Sequence, residues 1–336
     1  MPEAAPFSGD RAAEASGGAE GHNRKRDQKM KKVEILLATF NGEQYLSEQL
    51  DSILSQDTQN WHLTASDDGS SDRTVEILDA YAQTYPEKIK RVVSGRQFHN
   101  ARDHFFWLME QCDADYIQFC DQDDVWHPDK VRLLQEALEE AEACFGAATP
   151  LLAFSDQAVV DKDLRQIAPS LMTLQQQNPK VQDYRNLLYQ NVVSGCTMAI
   201  NRPLAKLAAG CTDTQQVIMH DWWLALTAAR FGKMVYVDKS TIDYRQHGGN
   251  SVGAKDVRSP AFLMYKLLHL REFRRAVFFQ KRQALCFLDS YREDLLDEEI
   301  VYLREFGADH SPAALKRDFV KWINTPLRKA GFYVRW

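Results

Sequence analysis

Three groups of acidic residues have side chains and spacing that suit chemistry. They are Asp67-Asp68-Gly69-Ser70-Ser71-Asp72, Asp121-Gln122-Asp123-Asp124 and His220-Asp221-Trp222-Trp223. Each group also has a purely structural interpretation, because Asp, Ser and Gly are common in turns and at helix caps. For Ser70, Ser71 and Asp72 we expect capping to be the main role, which leaves the other acidic residues as candidates for chemistry.

The second group is the one that capping explains least. Asp121, Asp123 and Asp124 place three carboxylates within four residues, where like charges repel one another. A divalent cation would relieve this repulsion. Hard ions such as Mg²⁺ or Mn²⁺ take carboxylate oxygens, and Mg²⁺ commonly bridges to substrate phosphates. The D-x-D pattern of Asp121 and Asp123 therefore predicts a site for a metal ion and a diphosphate.

Alternating strands and helices would position these groups. Short apolar runs predict strands at Val33–Ala38, Trp61–Ser66, Ile89–Ser94 and Tyr116–Cys120. Segments with helical spacing lie between them, and a long helix is expected after Pro128, since proline suits a first helical turn. This alternation predicts an α/β fold with a mostly parallel central sheet flanked by helices. Such sheets bind ligands beyond the carboxyl ends of their strands.

Composition narrows the class of protein. The chain has 336 residues, 44% apolar and 26% charged, enough for one large α/β domain and a smaller appendage. Its 41 basic and 47 acidic residues give a net charge of −6, so we expect no nucleic-acid partner. The six cysteines form no C-x-x-C pair, which favours reduced thiols over zinc ligands. With no apolar run of spanning length and no signal-peptide core, we expect a cytoplasmic protein.

Three regions are expected along the chain. Residues 1–31 predict a disordered tail, because ordering them would cost entropy without burying large apolar groups. Residues 32–255 would form the α/β domain. Residues 256–336 would form a C-terminal helical region, with helices across Pro260 to Arg292 and around Ala313 to Ile323.

The motifs resemble those of the family 2 glycosyltransferases. The likeness is carried by Ala38 to Leu46 (ATFNGEQYL), Asp67 to Thr74 (DDGSSDRT), Asp121 to Trp126 (DQDDVW), His220 to Trp223 (HDWW) and Tyr244 to Asn250 (YRQHGGN). The last two look like the bacterial rhamnosyltransferase-type branch. The resemblance covers Lys32 to Gly253 and implies the GT-A nucleotide-binding fold with a nucleotide-sugar donor.

The resemblance also implies a role for each matching position. The residues that would face the nucleotide sugar are Thr39, Asn41, Glu43, Asp67, Asp68, Asp121, Asp123 and Trp222. Within this set Asp67 and Asp68 would contact the base and ribose in an order left open, and Asp121 the ribose or the sugar. Asp123 would be the direct ligand of Mn²⁺ or Mg²⁺. For His247 two interpretations stay open, namely contact with the metal or diphosphate and packing within its loop.

The implied reaction is an inverting sugar transfer. Departure of the nucleoside diphosphate builds negative charge, which a divalent ion at Asp123 would stabilise. Asp221 would act as general base and take the proton of the acceptor hydroxyl, while attack from the opposite face inverts the anomeric carbon. The branch suggests a deoxythymidine-diphosphate rhamnose donor. It also suggests a saccharide or lipid-linked saccharide acceptor in bacterial surface polysaccharide or O-antigen synthesis.

Two other functions are compatible with parts of the sequence. Tyr116 to Val125 resembles the haloacid dehalogenase signature of phosphohydrolases, in which Asp121 would be the nucleophile and Asp123 an acid or base. That signature normally ends the first strand of its fold, whereas here three strand–helix units precede it. The chain could also be a glycosyltransferase-like binding subunit without turnover, but a decayed site would have no need of costly carboxylates at Asp121, Asp123 and Asp221.

A basic segment lies outside the resemblance. From Arg258 to Gln283 there are seven Lys or Arg and one acidic residue, interleaved with Leu and Phe. A basic amphipathic helix of this kind can lie on an anionic membrane. It can equally pack on the α/β domain, or form a homodimer contact, with its basic face in water.

Overall fold

A mixed sheet with helices on both faces organises this computed structural model, which describes residues 31–247 and 270–308. The strands are β1 (Val33–Thr39), β2 (Trp61–Asp67), β3 (Ile89–Val92), β4 (Tyr116–Cys120), β5 (Val125–Trp126), β6 (Leu151–Asp161), β7 (Gln166–Ala168), β8 (Met198–Asn201) and β9 (Lys233–Gln246). The α-helices of the described residues are α1 (Leu46–Leu54), α2 (Thr74–Thr84), α3 (Ala101–Glu110), α4 (Lys130–Phe145), α5 (Leu171–Leu174), α6 (Tyr184–Leu187), α7 (Arg202–Ala208), α8 (His220–Phe231), α9 (Leu270–Tyr291) and α10 (Asp297–Gly307).

The strand order explains why the first half of the sequence reads as strand–helix repeats. The order is β3-β2-β1-β4-β8-β6-β9-β5, with β7 paired to β6. The first four strands are parallel to their neighbours. Beyond them β8 runs antiparallel to β4 and β6, and β6 is parallel to β9. The predicted α/β fold is confirmed, and the antiparallel strands of its second half are an addition to the expected parallel sheet.

Helices on both faces account for the apolar runs of the central strands, because a strand covered on both sides buries all its side chains. On one face α1 and α4 contribute Leu50 and Leu134 to a buried cluster. On the other face α3, α7 and α8 contribute Phe105, Leu204 and Trp223 to a second one. The two buried clusters therefore pack against opposite faces of the sheet.

Strand register brings the acidic groups to one edge. Thr39, the last residue of β1, lies opposite Asp67 at the end of β2. Leu37 of β1 lies opposite Cys120, the last residue of β4, so Asp121 leaves the sheet at the same edge. The carboxyl ends of these three parallel strands therefore form a common rim.

The C-terminal helices share the core that lies under α8. The Trp223 ring centroid is 5.5 Å from that of Phe287 and 5.7 Å from that of Tyr291, both on α9. Leu303 and Phe306 of α10 are buried in the same cluster. Helices in this region are confirmed. The tail, the boundary expected at residues 255 and 256, and the helix expected around Ala313 to Ile323 lie outside the described residues.

Candidate active site

The loops that follow β1 and β2 are joined by hydrogen bonds from backbone to side chain. Oδ1 of Asn41 accepts from the Ser71 N–H at 2.9 Å, and Oε2 of Glu43 accepts from the Arg73 N–H at 2.9 Å. The φ of Asn41 is 49°, a left-handed conformation that Asn tolerates better than most residues. Asn41 and Glu43 thus lie at the rim, with their side-chain oxygens shaping the loops. Their contact with a nucleotide stays a prediction.

The carboxylates of Asp67 and Asp68 also serve the loops around them. Oδ2 of Asp67 accepts from the N–H groups of Gly69 and Ser70 at 2.9 and 2.8 Å, and Thr39 donates its hydroxyl to Oδ1 at 3.0 Å. Asp68 is buried and accepts from the backbone N–H groups of the 98–99 segment, with a distance of 2.7 Å to the N–H of His99. Asp68 therefore fixes the loop after β3 beside the end of β2.

A cavity opens where β2 and β3 end. Its volume is about 480 Å³, a size typical of small-ligand sites. The lining includes Asp67, Gly69, Arg91, Ser94, Arg96 and Gln97. The ring of Phe40 is 55% exposed at the neighbouring strand end, and the Phe40 backbone is held on both sides by the Gln122 amide. This edge of the sheet thus presents an open cavity and, at the next strand end, an exposed aromatic side chain.

The D-x-D loop after β4 is paired with the end of β9. Nε2 of His247 lies 2.8 Å from Oδ2 of Asp123. The ring of His247 packs against Tyr45, with 4.9 Å between ring centroids. Asp121, two residues earlier, is partly buried, and its pKa is raised to about 7, first by burial and then by the charge of Asp123. The two carboxylates of the D-x-D loop therefore have different surroundings: Asp123 contacts His247, whereas Asp121 interacts with Asp123 and is partly buried.

The buried side chain of Arg245 holds the backbone of the D-x-D loop in place. It is 2% exposed, donates from Nε to the Asp123 carbonyl at 2.9 Å and from its backbone N–H to Oδ1 of Asp124 at 3.2 Å. Its guanidinium also bonds to Glu48 and lies over the Tyr45 ring, 4.5 Å from the centroid. Arg245 belongs to the Tyr244 to Asn250 motif, and the sequence alone does not predict that its side chain points inward.

A buried lysine lies beneath the acidic loop. Lys130 is 0% exposed, and its Nζ lies 3.0 Å from the ring centroid of Trp126. Burial lowers the pKa of Lys130 to about 7, while the charges of Asp124 and Asp121 oppose that shift. Burial and the neighbouring charges raise the pKa of Asp124 well above its usual range. The amine of Lys130 thus interacts with the carboxylate cluster, and the sequence pattern did not predict this.

Asp221 lies at the start of α8 and is held by two backbone donors. The Gly195 N–H donates to Oδ2 at 3.1 Å, and the Trp222 N–H donates to Oδ1 at 2.6 Å. Burial raises the pKa of Asp221 to about 7, the two donors lower it, and the charge of Asp121 raises it. Asp221 and Asp121 therefore interact electrostatically, although they come from different elements.

The adjacent tryptophans of α8 point in different directions, as helical geometry requires. Trp223 is fully buried and donates to the Ala208 carbonyl at 3.3 Å. Trp222 is partly buried and donates its indole N–H to the Leu187 carbonyl. Trp223 is therefore a core residue. A stacking role for Trp222 stays a prediction.

Comparison with known proteins identifies the family. A sequence model described as glycosyl transferase family 2 matches residues 34–202, half of the chain. The chain belongs to glycosyltransferase family 2. The matched range includes the loops after β1, β2 and β4, and ends shortly before Asp221 and His247.

Two relatives of known name share sequence with this glycosyltransferase. The dTDP-rhamnosyl transferase RfbG of Shigella flexneri is 29% identical over 227 residues, which cover 65% of this chain and 74% of RfbG. The putative glycosyltransferase EpsE of Bacillus subtilis is 30% identical over 130 residues, 38% of this chain and 46% of EpsE.

Solved structures confirm the GT-A type of fold. Residues 1–349 of S. aureus TarS, in complex with UDP, superpose with a TM-score of 0.53 at 16% identity, covering 91% of this chain and 75% of that one. The complex of TarS with UDP-GlcNAc gives a TM-score of 0.54 at 13% identity, covering 90% and 89%. At these identities the likeness concerns the fold.

The pairing of Asp123 and His247 suits a divalent ion. Two ligands at right angles on an ion with bonds of about 2.1 Å lie about 3 Å apart. The 2.8 Å between Nε2 of His247 and Oδ2 of Asp123 is close to this spacing. Asp121, Asp124 and Cys196 also offer ligand atoms within 4.8 Å of one another, but the amine of the buried Lys130 interacts electrostatically with all three, so a metal ion there would compete with its proton. The first pair is therefore the better metal site.

The phosphohydrolase alternative is not favoured. The haloacid dehalogenase signature normally ends the first strand of its fold. Here Asp121 follows β4, and the match to the glycosyltransferase family begins at residue 34, in β1. The loops after β1 and β2 would have no role in that chemistry. They are, however, built into the same rim as the D-x-D loop, since the Gln122 amide bonds to both the N–H and the carbonyl of Phe40.

Proposed function

We propose that this family 2 glycosyltransferase catalyses an inverting, metal-dependent transfer of a sugar from a nucleoside-diphosphate donor to a saccharide hydroxyl. One observation carries the proposal: the Gly195 N–H bonds to Asp221 at 3.1 Å, and Sγ of the next residue, Cys196, lies within 4.8 Å of a carboxylate oxygen of Asp121 in the D-x-D loop. A proton acceptor and a diphosphate-binding loop therefore border the same space. A base with a pKa near neutral pH is well matched to proton removal from a hydroxyl.

The donor would lie along the rim formed by β1, β2 and β4. The cavity beyond Asp67 and Gly69 is large enough for a nucleobase, and the exposed Phe40 at the end of β1 offers a further apolar surface on the same edge of the sheet. Arg96, which lines the cavity, brings a positive charge toward the donor. The complexes of TarS with UDP and UDP-GlcNAc support a nucleotide sugar as the ligand class. In this arrangement four further residues of the rim would support donor binding by fixing the conformation of the loops around it, namely Thr39, Asn41, Glu43 and Asp68.

Asp123 and His247 would hold Mn²⁺ or Mg²⁺ at the diphosphate. Bound there, the ion supplies Lewis-acid stabilisation of the departing nucleoside diphosphate. Arg245 keeps the Asp123 backbone in place through its bond to the carbonyl. Asp121, on the side of the loop that interacts with Asp221, would contact the ribose or the transferred sugar.

Asp221 would remove the proton of the acceptor hydroxyl during attack. The N–H groups of Gly195 and Trp222 hold both carboxylate oxygens in fixed directions. Burial disfavours the charged form of Asp221, so its ionised carboxylate is a stronger base than an exposed one. No covalent intermediate on the protein is needed, because displacement from the opposite face inverts the anomeric carbon in one step.

For the substrates we propose deoxythymidine-diphosphate rhamnose as donor and a saccharide of a bacterial surface polysaccharide as acceptor. RfbG is named for dTDP-rhamnosyl transfer, which supports the donor. TuaG of Bacillus subtilis, 26% identical over 170 residues, is named for teichuronic acid biosynthesis, which supports a cell-surface acceptor. Either a free or a lipid-linked saccharide is compatible with this assignment.

The first half of α9 would contact an anionic membrane. Arg271, Arg274, Arg275 and Phe278 are exposed on successive turns, and Arg282 follows on the same side. The Arg282 guanidinium lies over the Phe278 ring, 5.5 Å from the centroid. An aromatic ring among arginines suits the interface of an anionic bilayer. Within the described residues no helix is apolar and long enough to cross a bilayer, so such contact would be peripheral.

A melting screen with nucleotide sugars, followed by a transfer assay, tests the proposed function. The chain would be heated with deoxythymidine-, uridine- and guanosine-diphosphate sugars, each with and without Mn²⁺. A ligand present at 100 times its Kd stabilises a protein by about 2.7 kcal/mol, so binding is readily seen. We expect Mn²⁺-dependent stabilisation by the rhamnose donor and transfer with inversion of the anomeric centre. Tight nucleotide binding without transfer or donor hydrolysis would instead indicate a binding subunit.

A further inference from the structure

The carboxylate of Asp221 is oriented by one contact from outside its own helix. Its bond to the Trp222 N–H at 2.6 Å belongs to the first turn of α8. Its bond to the Gly195 N–H at 3.1 Å comes from a short 3₁₀ turn, Gly195–Thr197, that leads into β8 of the sheet. Among the contacts of the described residues, the Gly195 bond is therefore the one that fixes the carboxylate relative to the sheet that carries the donor site.

Gly195 is pressed against the ring of His220. A Cβ at Gly195 would lie 2.8 Å from Nε2 and 3.1 Å from Cε1 of this ring, closer than side-chain contacts allow. The position thus requires glycine because of a close approach. The turn itself is closed by the Thr197 N–H and hydroxyl, which both bond to the Ser194 carbonyl. The Gly195 backbone cannot retreat from the ring without disturbing this turn.

His220 is held rigidly and carries no charge. The ring is 5% exposed and lies between Phe105 and Phe119, with centroid distances of 4.3 and 5.2 Å. Burial lowers its pKa to about 3, so the ring is neutral throughout the physiological range. Both ring nitrogens lack a hydrogen-bond partner within the described residues, an arrangement that costs free energy. A residue used for packing alone would avoid this cost, so the flat, compact ring has a further role.

We propose that His220 and Gly195 form a positioning pair that fixes the carboxylate of Asp221 for removal of the acceptor proton. The inference rests on the proposed function, because it concerns the base of that reaction. The ring and Asp221 both lie against Gly195, since the Cβ position of Gly195 is 2.8 Å from Nε2 of His220 and 3.8 Å from Cβ of Asp221. A change in the spacing between ring and main chain would turn or lengthen the bond to Oδ2. Neither His220 nor Gly195 exchanges a proton with substrate.

Gly195→Ala tests the pair. The added methyl group must displace either the turn or the ring, so we expect kcat to fall at least ~10-fold, since small misplacements of reacting groups are costly. The donor KM and the Mn²⁺ affinity should stay within about twofold. A weaker N–H bond to a carboxylate also raises the pKa of that carboxylate, so the acid limb of the kcat profile should move up by about one pH unit. The titratable groups near Asp221 are Asp121, whose charge already raises its pKa, and the neutral His220 and Cys196.

A double variant separates positioning from general damage. His220→Ala removes the ring and makes room for the methyl group, so Gly195→Ala/His220→Ala should recover at least ~5-fold in kcat over Gly195→Ala, a coupling expected of residues in contact. Gly210→Ala, at the end of α7, is the matched control. A Cβ there would lie 3.2 Å from the Leu207 carbonyl oxygen, so stability should fall while kcat and the acid limb stay unchanged. Strict additivity of the two changes, or an unmoved acid limb in folded Gly195→Ala, overturns the positioning pair.

The experiments distinguish failure of the positioning pair from failure of the proposed function. If Asp221→Asn keeps full turnover, Asp221 is not the base and both proposals fall. If Asp221→Asn is inactive but the double variant is additive, only the positioning pair falls. Without a working transfer assay, the pKa of Asp221 can be read from the pH dependence of unfolding, with Asp221→Asn as the reference in each background. The same upward shift is expected there for Gly195→Ala, and its absence overturns the pair.

Discussion

Nε2 of His247 lies 2.8 Å from Oδ2 of Asp123, although 124 positions separate the two residues. The contact joins the end of β9 to the D-x-D loop and is flanked by Arg245, which bonds to the Asp123 carbonyl. His247 had two open interpretations from sequence, a metal or diphosphate contact and a packed loop residue. The geometry is compatible with both, because a histidine that ligates a metal can also pack against a neighbour such as Tyr45.

Removal of the His247 ring should weaken metal binding. In the presence of nucleoside diphosphate, we expect His247→Ala to lower the Mn²⁺ affinity at least ~10-fold, because a metal ligand is lost. Electron paramagnetic resonance of free Mn²⁺ measures this without turnover. His62→Ala is the matched control, since His62 is exposed on β2 and lies far from the D-x-D motif in sequence. Equal Mn²⁺ affinity in the two variants would leave His247 as a packing residue.

Asp221→Asn should separate donor binding from turnover. Asn keeps the shape of the side chain and can accept from the Gly195 N–H, but it cannot take a proton from a hydroxyl. We expect kcat to fall ~10²–10⁴-fold, the usual contribution of a general base, with the donor Kd changed less than about threefold. Asp238→Asn, an exposed change on β9, serves as control. Turnover in Asp221→Asn close to that of Asp238→Asn would remove Asp221 from the role.

The pH dependence of stability should show the raised pKa of Asp221. The folded-state pKa is about 7, above the unfolded value of 3.8, so the folded protein binds the proton more tightly. This contribution to stability is present below pH 3.8 and is lost as the pH rises through 7. Asn stays neutral, so Asp221→Asn should melt about 2–4 °C above the wild type at pH 8, with a smaller difference at pH 5. Identical melting curves at both pH values would contradict the shift.

Sequence reasoning located the rim but not the contacts that hold it. Apolar runs predicted β1 to β4, and register then brought Asp67 and Asp121 to one edge, because parallel strands share an end. Arg245 and Gly195 were missed, since their roles come from partners far away in the chain. The carboxylate of Asp68 accepts bonds from the loop after β3, which the sequence did not predict, and its contact with a nucleotide stays a prediction. No local pattern distinguishes a carboxylate that binds backbone from one that binds ligand.

Lys130→Met should remove a pH dependence of stability. Burial lowers the pKa of Lys130 from 10.5 to about 7, so the folded protein disfavours the charged amine. The wild type should therefore gain stability as the pH rises from 7 toward 10.5, whereas methionine, which matches the volume of the lysine stem, stays neutral. We expect Lys130→Met to be more stable than the wild type by about 2 kcal/mol in urea unfolding at pH 7, with a smaller difference at pH 9.5. Lys88→Met is the control, because Lys88 also lies over a tryptophan, 4.8 Å from the Trp61 centroid, but is partly exposed and should change stability by under ~1 kcal/mol. The same difference from the wild type at both pH values would contradict the lowered pKa.

The arginines of α9 should determine any binding to anionic vesicles. Arg274→Gln/Arg275→Gln removes two exposed charges next to Phe278, and each basic residue near such a surface contributes about 1 kcal/mol. Co-sedimentation with vesicles containing phosphatidylglycerol, at low salt, should therefore weaken ~10-fold or more. Lys162→Gln/Arg165→Gln removes two exposed charges from the turn between β6 and β7 and should leave vesicle binding unchanged. If the wild type does not sediment with anionic vesicles, or if both double variants weaken equally, α9 does not provide a membrane-binding face. Its basic side chains would then be a solvated face of a helix whose second half packs on Trp223.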